Sequence, residues 1–222
     1  MWSRLIKLIG EDGFEKLVRS KVLVVGTGGV GGYVAEMLAR CGIGTLGIMD
    51  FDKVDISNLN RQIIALHSTI GKSKVEVLKE RILDINPNCR VIAIAQKFSL
   101  QNSDVLDGEW DFVVDAIDSF EDKVNLICLA KQKGLNIISA MGAGNRAQFS
   151  EFEITDIYKT SYDGLAKKLR KALKDRNISH LDVCYTKAQP LSIQQGVGSI
   201  SFVVASCGIR IAGFVIEKLL KA

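Results

Sequence analysis

Short apolar runs alternate with longer segments of helical periodicity along the first 140 residues. The runs are bounded by glycine or polar residues, which is typical of buried parallel strands. They are residues 21–25, 45–49, 91–95, 111–115 and 136–140. The segments of helical spacing between and before them are residues 11–19, 30–41, 73–85 and 121–133. This alternation predicts an α/β fold, a doubly wound, Rossmann-like and mostly parallel sheet with helices on both faces.

The regular alternation stops near residue 145. The pattern beyond it predicts an added strand at 148–154, a basic helix at 164–176, a strand at 182–186 and a last helix at 200–220. No composition shift marks a boundary, so we expect a single domain over 1–222, with a first half at 1–140 and an extended second half at 141–222.

The last predicted helix is the most apolar segment of the chain. Arg210, Glu217 and Lys218 interrupt it. A spanning helix needs about 20 residues with few or no charges. We therefore expect a core or dimer helix and no stable membrane span.

Residues 26–31 read G-T-G-G-V-G, directly after a predicted strand and at the start of a predicted helix. In the G-x-G-x-x-G pattern Gly26 makes the tight turn, Gly28 lets the backbone approach a phosphate, and Gly31 lets the helix pack on the strand. The helix N-terminus attracts an anion. Asp50 ends the next strand, where a carboxylate can bind ribose hydroxyls. The pattern predicts a nucleotide site.

Polar and cationic residues in the following segments favour ATP over NAD, because adenylyl transfer must neutralise a departing pyrophosphate. Arg61 lies in the loop after the Asp50 strand, and Lys72 and Lys74 begin the next helix, where only one of the two can face the site. Asp115 and Asp118 lie at the carboxyl end of the predicted strand 111–115, where open α/β sheets bind ligands. The alternatives are solvated surface for the cations and a helix N-cap for Asp118.

The bulk properties exclude several other classes. The chain has 222 residues, a net charge of +4, five cysteines without a C-x-x-C pair, and two histidines. The missing C-x-x-C pair counts against a structural zinc site, and the presence of only two histidines excludes a histidine metal cluster. Scattered cysteines and the lack of a secretory signal predict a reducing, cytoplasmic location. Cys184 and Cys207 are weighed as nucleophiles, but buried inert thiols fit their apolar surroundings better.

Four motifs, GTGGVGG, MDFDKVDISNLNRQ, GKSKVEVLKERILDINP and VVDAIDS, together resemble the adenylating domain of ubiquitin-activating-type enzymes. The resemblance implies ATP and Mg²⁺ as cofactors, a homodimer with two ATP sites, and Arg4 as an arginine finger that reaches the partner's ATP. It further implies catalytic roles for Arg4, Arg61, Lys74 and Asp118, with Asp118 holding Mg²⁺ or positioning the reacting carboxylate. The implied nucleotide-binding set is Gly26, Gly28, Gly29, Gly31, Asp50, Asp52, Asn58, Arg61, Gln62, Lys74 and Asp118.

The second half resembles the tRNA threonylcarbamoyladenosine dehydratases in residues 140–146, 155–160 and 165–170. The resemblance makes 1–140 the ATP-binding half and 141–222 the substrate-shaping half. It implies that ATP activates the threonyl carboxylate of the modified adenosine, that the carbamoyl group attacks, and that AMP leaves. The family's Asp-Pro, proline and glutamate are replaced here by Gln148-Phe149, Gly164 and Ala188.

Three functions remain open on the sequence. A tRNA-modifying dehydratase is favoured. The second is an activator of a ubiquitin-like or sulfur-carrier protein tail, which would have that carrier as its partner. The third is an NAD-dependent oxidoreductase or a non-catalytic nucleotide-binding module, and neither would need Arg61, Lys74 and Asp118. A basic run from Lys159 to Arg176 fits either a solvated helix face or a tRNA contact.

Overall fold

A computed structural model describes residues 1–148, 151–192 and 196–222. Seven strands form one sheet: β1 (Lys21–Val25), β2 (Thr45–Met49), β3 (Arg90–Ile94), β4 (Phe112–Asp115), β5 (Ile137–Ala140), β6 (Glu153–Asp156) and β7 (Asp182–Tyr185). Their order is β3-β2-β1-β4-β5-β7-β6. β6 pairs antiparallel with β7, and the other five pairings in this sheet are parallel.

Helices cover both faces of the sheet. They are α1 (Ser3–Arg19), α2 (Gly31–Arg40), α3 (Lys74–Ile85), α4 (Phe120–Gln132), α5 (Gly164–Lys174) and α6 (Ser201–Lys221). α1, α2, α3 and α6 pack over one apolar core, and α4 and α5 pack over the other. Within β1, Val22 and Val24 enter the first core while Leu23 and Val25 enter the second. A strand buried on both faces needs this unbroken apolar run, and the predicted fold class is confirmed.

Several elements differ in detail from their predictions. α1 joins both predicted N-terminal helices across a kink at Gly10, whose φ is 78°. The added strand begins only at Glu153, and Phe149 and Ser150 lie outside the described residues. α5 ends at Lys174, because Asn177, with a φ of 57°, closes a Schellman motif there. In this motif the Ile178 amide donates a hydrogen bond to the Leu173 carbonyl at 3.0 Å.

A run of 3-10 turns over Leu100–Asp107 was not expected from the sequence. It has no helical repeat of apolar residues, and it is fixed by the burial of Leu106 and by Trp110, whose indole N–H donates to the Val105 carbonyl at 2.7 Å. In the part of the chain that the structure describes, no helix combines the length and apolar character needed to cross a membrane.

Candidate nucleotide site

A cavity of about 490 Å³ opens at the carboxyl ends of β1, β2 and β4. β1 lies between β2 and β4, so the chain order reverses here, and open α/β sheets bind ligands at such switch points. The size lies within the usual range of ligand sites, about 300–1,000 Å³. Ten of the twelve residues predicted for the site line this cavity: Gly26, Gly28, Gly29, Asp50, Asp52, Asn58, Arg61, Gln62, Lys74 and Asp118.

The glycine turn is packed on one side and open on the other. A methyl group on Gly26, whose φ is 89°, would lie 2.6 Å from the Ala116 carbonyl oxygen, and one on Gly31 would lie 1.8 Å from the Gly26 carbonyl oxygen. A methyl group on Gly28 would meet only the Gln62 amide nitrogen, at 3.7 Å. Gly26 and Gly31 are thus required by packing, whereas Gly28 leaves its space to the cavity.

Asp50 is locked to the glycine turn. One carboxylate oxygen accepts hydrogen bonds from the Thr27 amide at 2.7 Å and the Thr27 hydroxyl at 3.1 Å, and the other accepts from the Asp52 amide at 2.9 Å. A carboxylate has about four lone-pair sites, so capacity remains for a ribose hydroxyl. Thr27 is fully buried and was not singled out, although its place inside the glycine pattern could have indicated it.

The two lysines at the start of α3 separate as expected. Lys74 is buried, and its ammonium pairs with the Asp52 carboxylate at 2.7 Å inside the cavity. Lys72 is exposed and does not line the cavity. Because Asp52 is half exposed, the pair lies at the cavity wall, where a phosphate can compete for the ammonium.

Arg61 is held by the loop before it. Its guanidinium donates to the Ser57 carbonyl at 2.7 Å and to the Asn60 amide oxygen at 3.0 Å. Asn58 closes a capping box in which its amide oxygen accepts from the Asp55 amide at 3.1 Å. These bonds fix both side chains at the cavity before any ligand binds.

Gln62 carries an unsatisfied acceptor. Its side-chain oxygen is buried and has no hydrogen-bond partner within residues 1–148, 151–192 and 196–222. A buried polar atom without a partner is costly, and a bound ligand or water would satisfy it. The unpaired oxygen therefore marks the cavity wall beside Gly28 as a place where a polar ligand fits.

Asp115, the last residue of β4, and Asp118, three residues beyond it, have different environments. Asp115 is fully buried and pairs with the Lys123 ammonium at 2.8 Å, and the Ser139 hydroxyl donates to the same carboxylate. Asp118 is exposed and lines the cavity. The N-cap position of α4 is Ser119, so the alternative that Asp118 caps this helix is wrong. Asp118 is thus left available to a ligand.

The sequence did not indicate the wall formed by the loop after β3. Gln96, Lys97 and Phe98 line the cavity there, and Asp122 of α4 faces them. The Lys97 ammonium and the Asp122 carboxylate lie 2.9 Å apart. Partial burial raises the pKa of Asp122, but hydrogen bonds from Lys97 and Ser119 outweigh it, so the pKa is lowered. This wall could have been found from the predicted parallel sheet, because a parallel pairing of β3 with β2 brings the carboxyl ends of both strands to one edge.

Two predicted residues lie outside the cavity lining. Gly31 stands behind the glycine turn, at the first residue of α2. Arg4 is exposed on the first turn of α1.

Cys184 and Cys207 are fully buried with their sulfur atoms 3.7 Å apart. The Cys207 hydrogen bond and burial raise the pKa of Cys184, so a nucleophilic role for it is disfavoured.

The departures in the second half fall on another part of the molecule. Gln148 and Ala188 line a second cavity between the β6–β7 edge and α6. Gly164 begins α5, where the Asp163 carboxylate caps the Ala166 amide at 2.9 Å, so the helix starts without a proline. Phe149 lies outside the described residues. The buried Arg146 guanidinium donates to the Ala188 carbonyl at 3.0 Å and ties this region together.

Comparisons with known proteins agree with this geometry. The model of the ThiF family matches residues 2–222. A tRNA threonylcarbamoyladenosine dehydratase of Bacillus subtilis is 37% identical over 99% of this chain and 94% of its own length. Two crystal structures of Escherichia coli tRNA N6-threonylcarbamoyladenosine dehydratase, one in complex with ATP and one with AMP, also match this chain. Each is 32% identical to this chain in sequence, and their TM-scores are 0.94 and 0.93. Each match covers 99% of this chain and 93% of the Escherichia coli chain.

Proposed function

The chain belongs to the ThiF family, and we propose that it is an ATP-dependent dehydratase of threonylcarbamoyladenosine in tRNA. The observation that carries this proposal is a full-length match to dehydratases of that name in a chain that has a prepared cavity at its sheet switch point. The cavity combines a glycine turn, a fixed carboxylate and two cations, Arg61 and Lys74, and those are the groups that adenylyl transfer needs.

The reaction has two steps. A threonyl carboxylate oxygen attacks the α-phosphorus of ATP, the bond to pyrophosphate breaks, and an acyl adenylate forms. The carbamoyl group of the same nucleoside then attacks the acyl carbon, loses its proton, and displaces AMP as the ring closes. ATP becomes AMP and pyrophosphate, and the nucleoside loses one water.

Each cavity wall has a proposed part in the first step. Asp50 binds the ribose, while the amides of the glycine turn and Asn58, Arg61, Gln62 and Lys74 hold the triphosphate. Lys74 exchanges Asp52 for phosphate when ATP enters, which moves its positive charge onto the leaving pyrophosphate. Closely spaced charges held in a fixed cavity stabilise that leaving group without reorganisation.

We also propose Mg²⁺ as a cofactor, held by Asp118. Mg²⁺ in nucleotide sites uses one or two carboxylates and completes its shell with phosphates and water, and an exposed carboxylate at the cavity rim fits that donor set. When bound, the ion would neutralise phosphate charge. The Asp118 carboxylate would be the protein ligand of the ion and would position the threonyl carboxylate that attacks the α-phosphorus.

A homodimer completes the site in this proposal. Arg4 is exposed on α1, outside the cavity of its own chain, which suits a guanidinium that reaches the ATP of a second copy and neutralises the pyrophosphate. Residues 1–140 are the ATP-binding half and 141–222 the substrate-shaping half. The five free cysteines fit a reducing compartment, so we place the enzyme in the cytoplasm.

Pyrophosphate release tests the proposal. We expect release only when ATP is given together with tRNA that carries threonylcarbamoyladenosine, and none with the same tRNA lacking the modification. Asp118→Ala should abolish release, while Asp104→Ala, which removes an exposed carboxylate elsewhere, should not. Pyrophosphate release that instead requires a carrier protein ending in Gly-Gly would support the alternative function, activation of a sulfur-carrier protein.

A further inference from the structure

Helix α5 concentrates the positive charge of the whole chain. Its 11 residues contain Lys167, Lys168, Arg170, Lys171 and Lys174 and no acidic residue. Removing these five charges from the net charge of +4 leaves −1 for the rest of the chain. The basic character of the protein is therefore local, whereas an ordinary solvated helix interleaves both signs.

Three of these lysines form one row, which we call the basic stripe: Lys167, Lys171 and Lys174. Spacings of four and three residues place them on one helix face, over about 10 Å of helix axis. All three are exposed. Within the described part of the chain none forms an ion pair, although Lys21, Lys97, Lys133 and Lys187 elsewhere in the chain each do. An unpaired row of ammonium groups is free to meet an anion.

The stripe begins at the edge of the sheet that carries the nucleotide cavity. Asp163, the N-cap of α5, accepts a hydrogen bond from the Gly142 amide at 3.1 Å, two residues beyond β5. β5 pairs with β4, and the loop after β4 carries Asp118. Neighbouring strands are about 5 Å apart, so a substrate reacting beside Asp118 can extend along α5.

We propose that the basic stripe binds the phosphate backbone of the tRNA substrate, an inference that rests on the proposed function. The opposite face of α5 is buried: Ala166, Leu169 and Leu173 lie in the core. The helix therefore has no apolar face left to insert into a lipid surface, so it lacks the apolar contribution that membrane-surface helices combine with their charge. A polyanion that needs only charge and reach fits better.

The test measures tRNA affinity as a function of salt. The slope of log K against log salt is negative, and each lost phosphate contact should reduce its magnitude by about 0.7–0.9. Lys167→Gln, Lys171→Gln and Lys174→Gln together should therefore reduce the magnitude by about 2–3. Affinity should fall at least about tenfold, with the ATP KM unchanged. The matched control, Lys79→Gln, Arg90→Gln and Lys221→Gln, removes the same charge elsewhere and should keep the slope.

Each other outcome overturns the proposal. An unchanged slope and tRNA affinity in the stripe variant would do so, as would loss of binding to vesicles of anionic lipid with tRNA affinity retained. A failure of the proposed function is distinguishable, because then the wild type itself would convert no modified tRNA, while a failure of the stripe alone would leave conversion at wild-type KM.

Discussion

Gly28→Ala separates a glycine needed for ligand from glycines needed for packing. In the free protein the new methyl group would touch only the Gln62 amide nitrogen, at 3.7 Å, an ordinary contact. The backbone at Gly28 is not in the left-handed region. Replacing such a glycine reduces the freedom of the unfolded chain, so we expect the free energy of unfolding to stay the same or rise by up to about 1 kcal/mol.

ATP binding should respond in the opposite direction. Backbone approaching the phosphates at Gly28 is the proposed contact, and the methyl group would occupy that space. Loss of one hydrogen bond to a charged group is worth about 1.5–3 kcal/mol, which weakens binding about 10- to 150-fold. Thermal unfolding without ligand and calorimetric titration with ATP measure the two effects separately.

Two further glycines provide the controls. Gly31→Ala places its methyl group 1.8 Å from the Gly26 carbonyl oxygen, so we expect destabilisation at or above the usual 1–3 kcal/mol of overpacking. Gly164→Ala meets nothing within 4 Å and should change neither stability nor ATP affinity by much. If Gly28→Ala binds ATP as tightly as the wild type, the backbone at Gly28 does not contact the phosphates.

Three other predictions follow from single side chains. Asp115→Ala should cost about 3–5 kcal/mol of unfolding free energy, because it leaves the Lys123 ammonium buried without its carboxylate, whereas a denaturant curve of Asp118→Ala should stay within about 0.5 kcal/mol of wild type. Arg4→Ala should lower pyrophosphate release while sedimentation still reports a dimer, and full activity would remove the arginine finger. Burial raises the pKa of Glu36, but hydrogen bonds from Arg81 and Arg40 outweigh it and lower the pKa below 4.5. Ionised Glu36 therefore stabilises the fold above that value and loses this effect as pH falls through its lowered pKa, so Glu36→Gln should flatten the loss of stability below about pH 5 relative to wild type.

The sheet and the glycine turn could be predicted because local sequence determines them. Strands such as Lys21–Val25 are buried on both faces, so they read as unbroken apolar runs, and a turn that excludes a side chain at Gly26 and Gly31 must place glycine there. These signals need no knowledge of distant residues.

The rest of the site depends on contacts between distant segments. Lys97 and Asp122 are 25 positions apart and meet only because β3 and α4 end at one edge of the sheet. The different environments of Asp115 and Asp118 depend on Lys123, which pairs with the buried Asp115 carboxylate and not with that of Asp118. Asp118 was predicted, but whether it caps α4 or faces a ligand could be read only from the helix start at Phe120.

The most direct measurement is mass spectrometry of nucleosides from tRNA that carries threonylcarbamoyladenosine, after incubation with the purified protein, ATP and Mg²⁺. We expect the modified nucleoside to lose the mass of one water, and only with ATP present. Asp118→Ala should leave the nucleoside unchanged, whereas Asp104→Ala should still convert it. An unchanged nucleoside in the presence of wild-type protein that binds ATP would rule out the dehydratase reaction and point to a different carboxylate as the substrate.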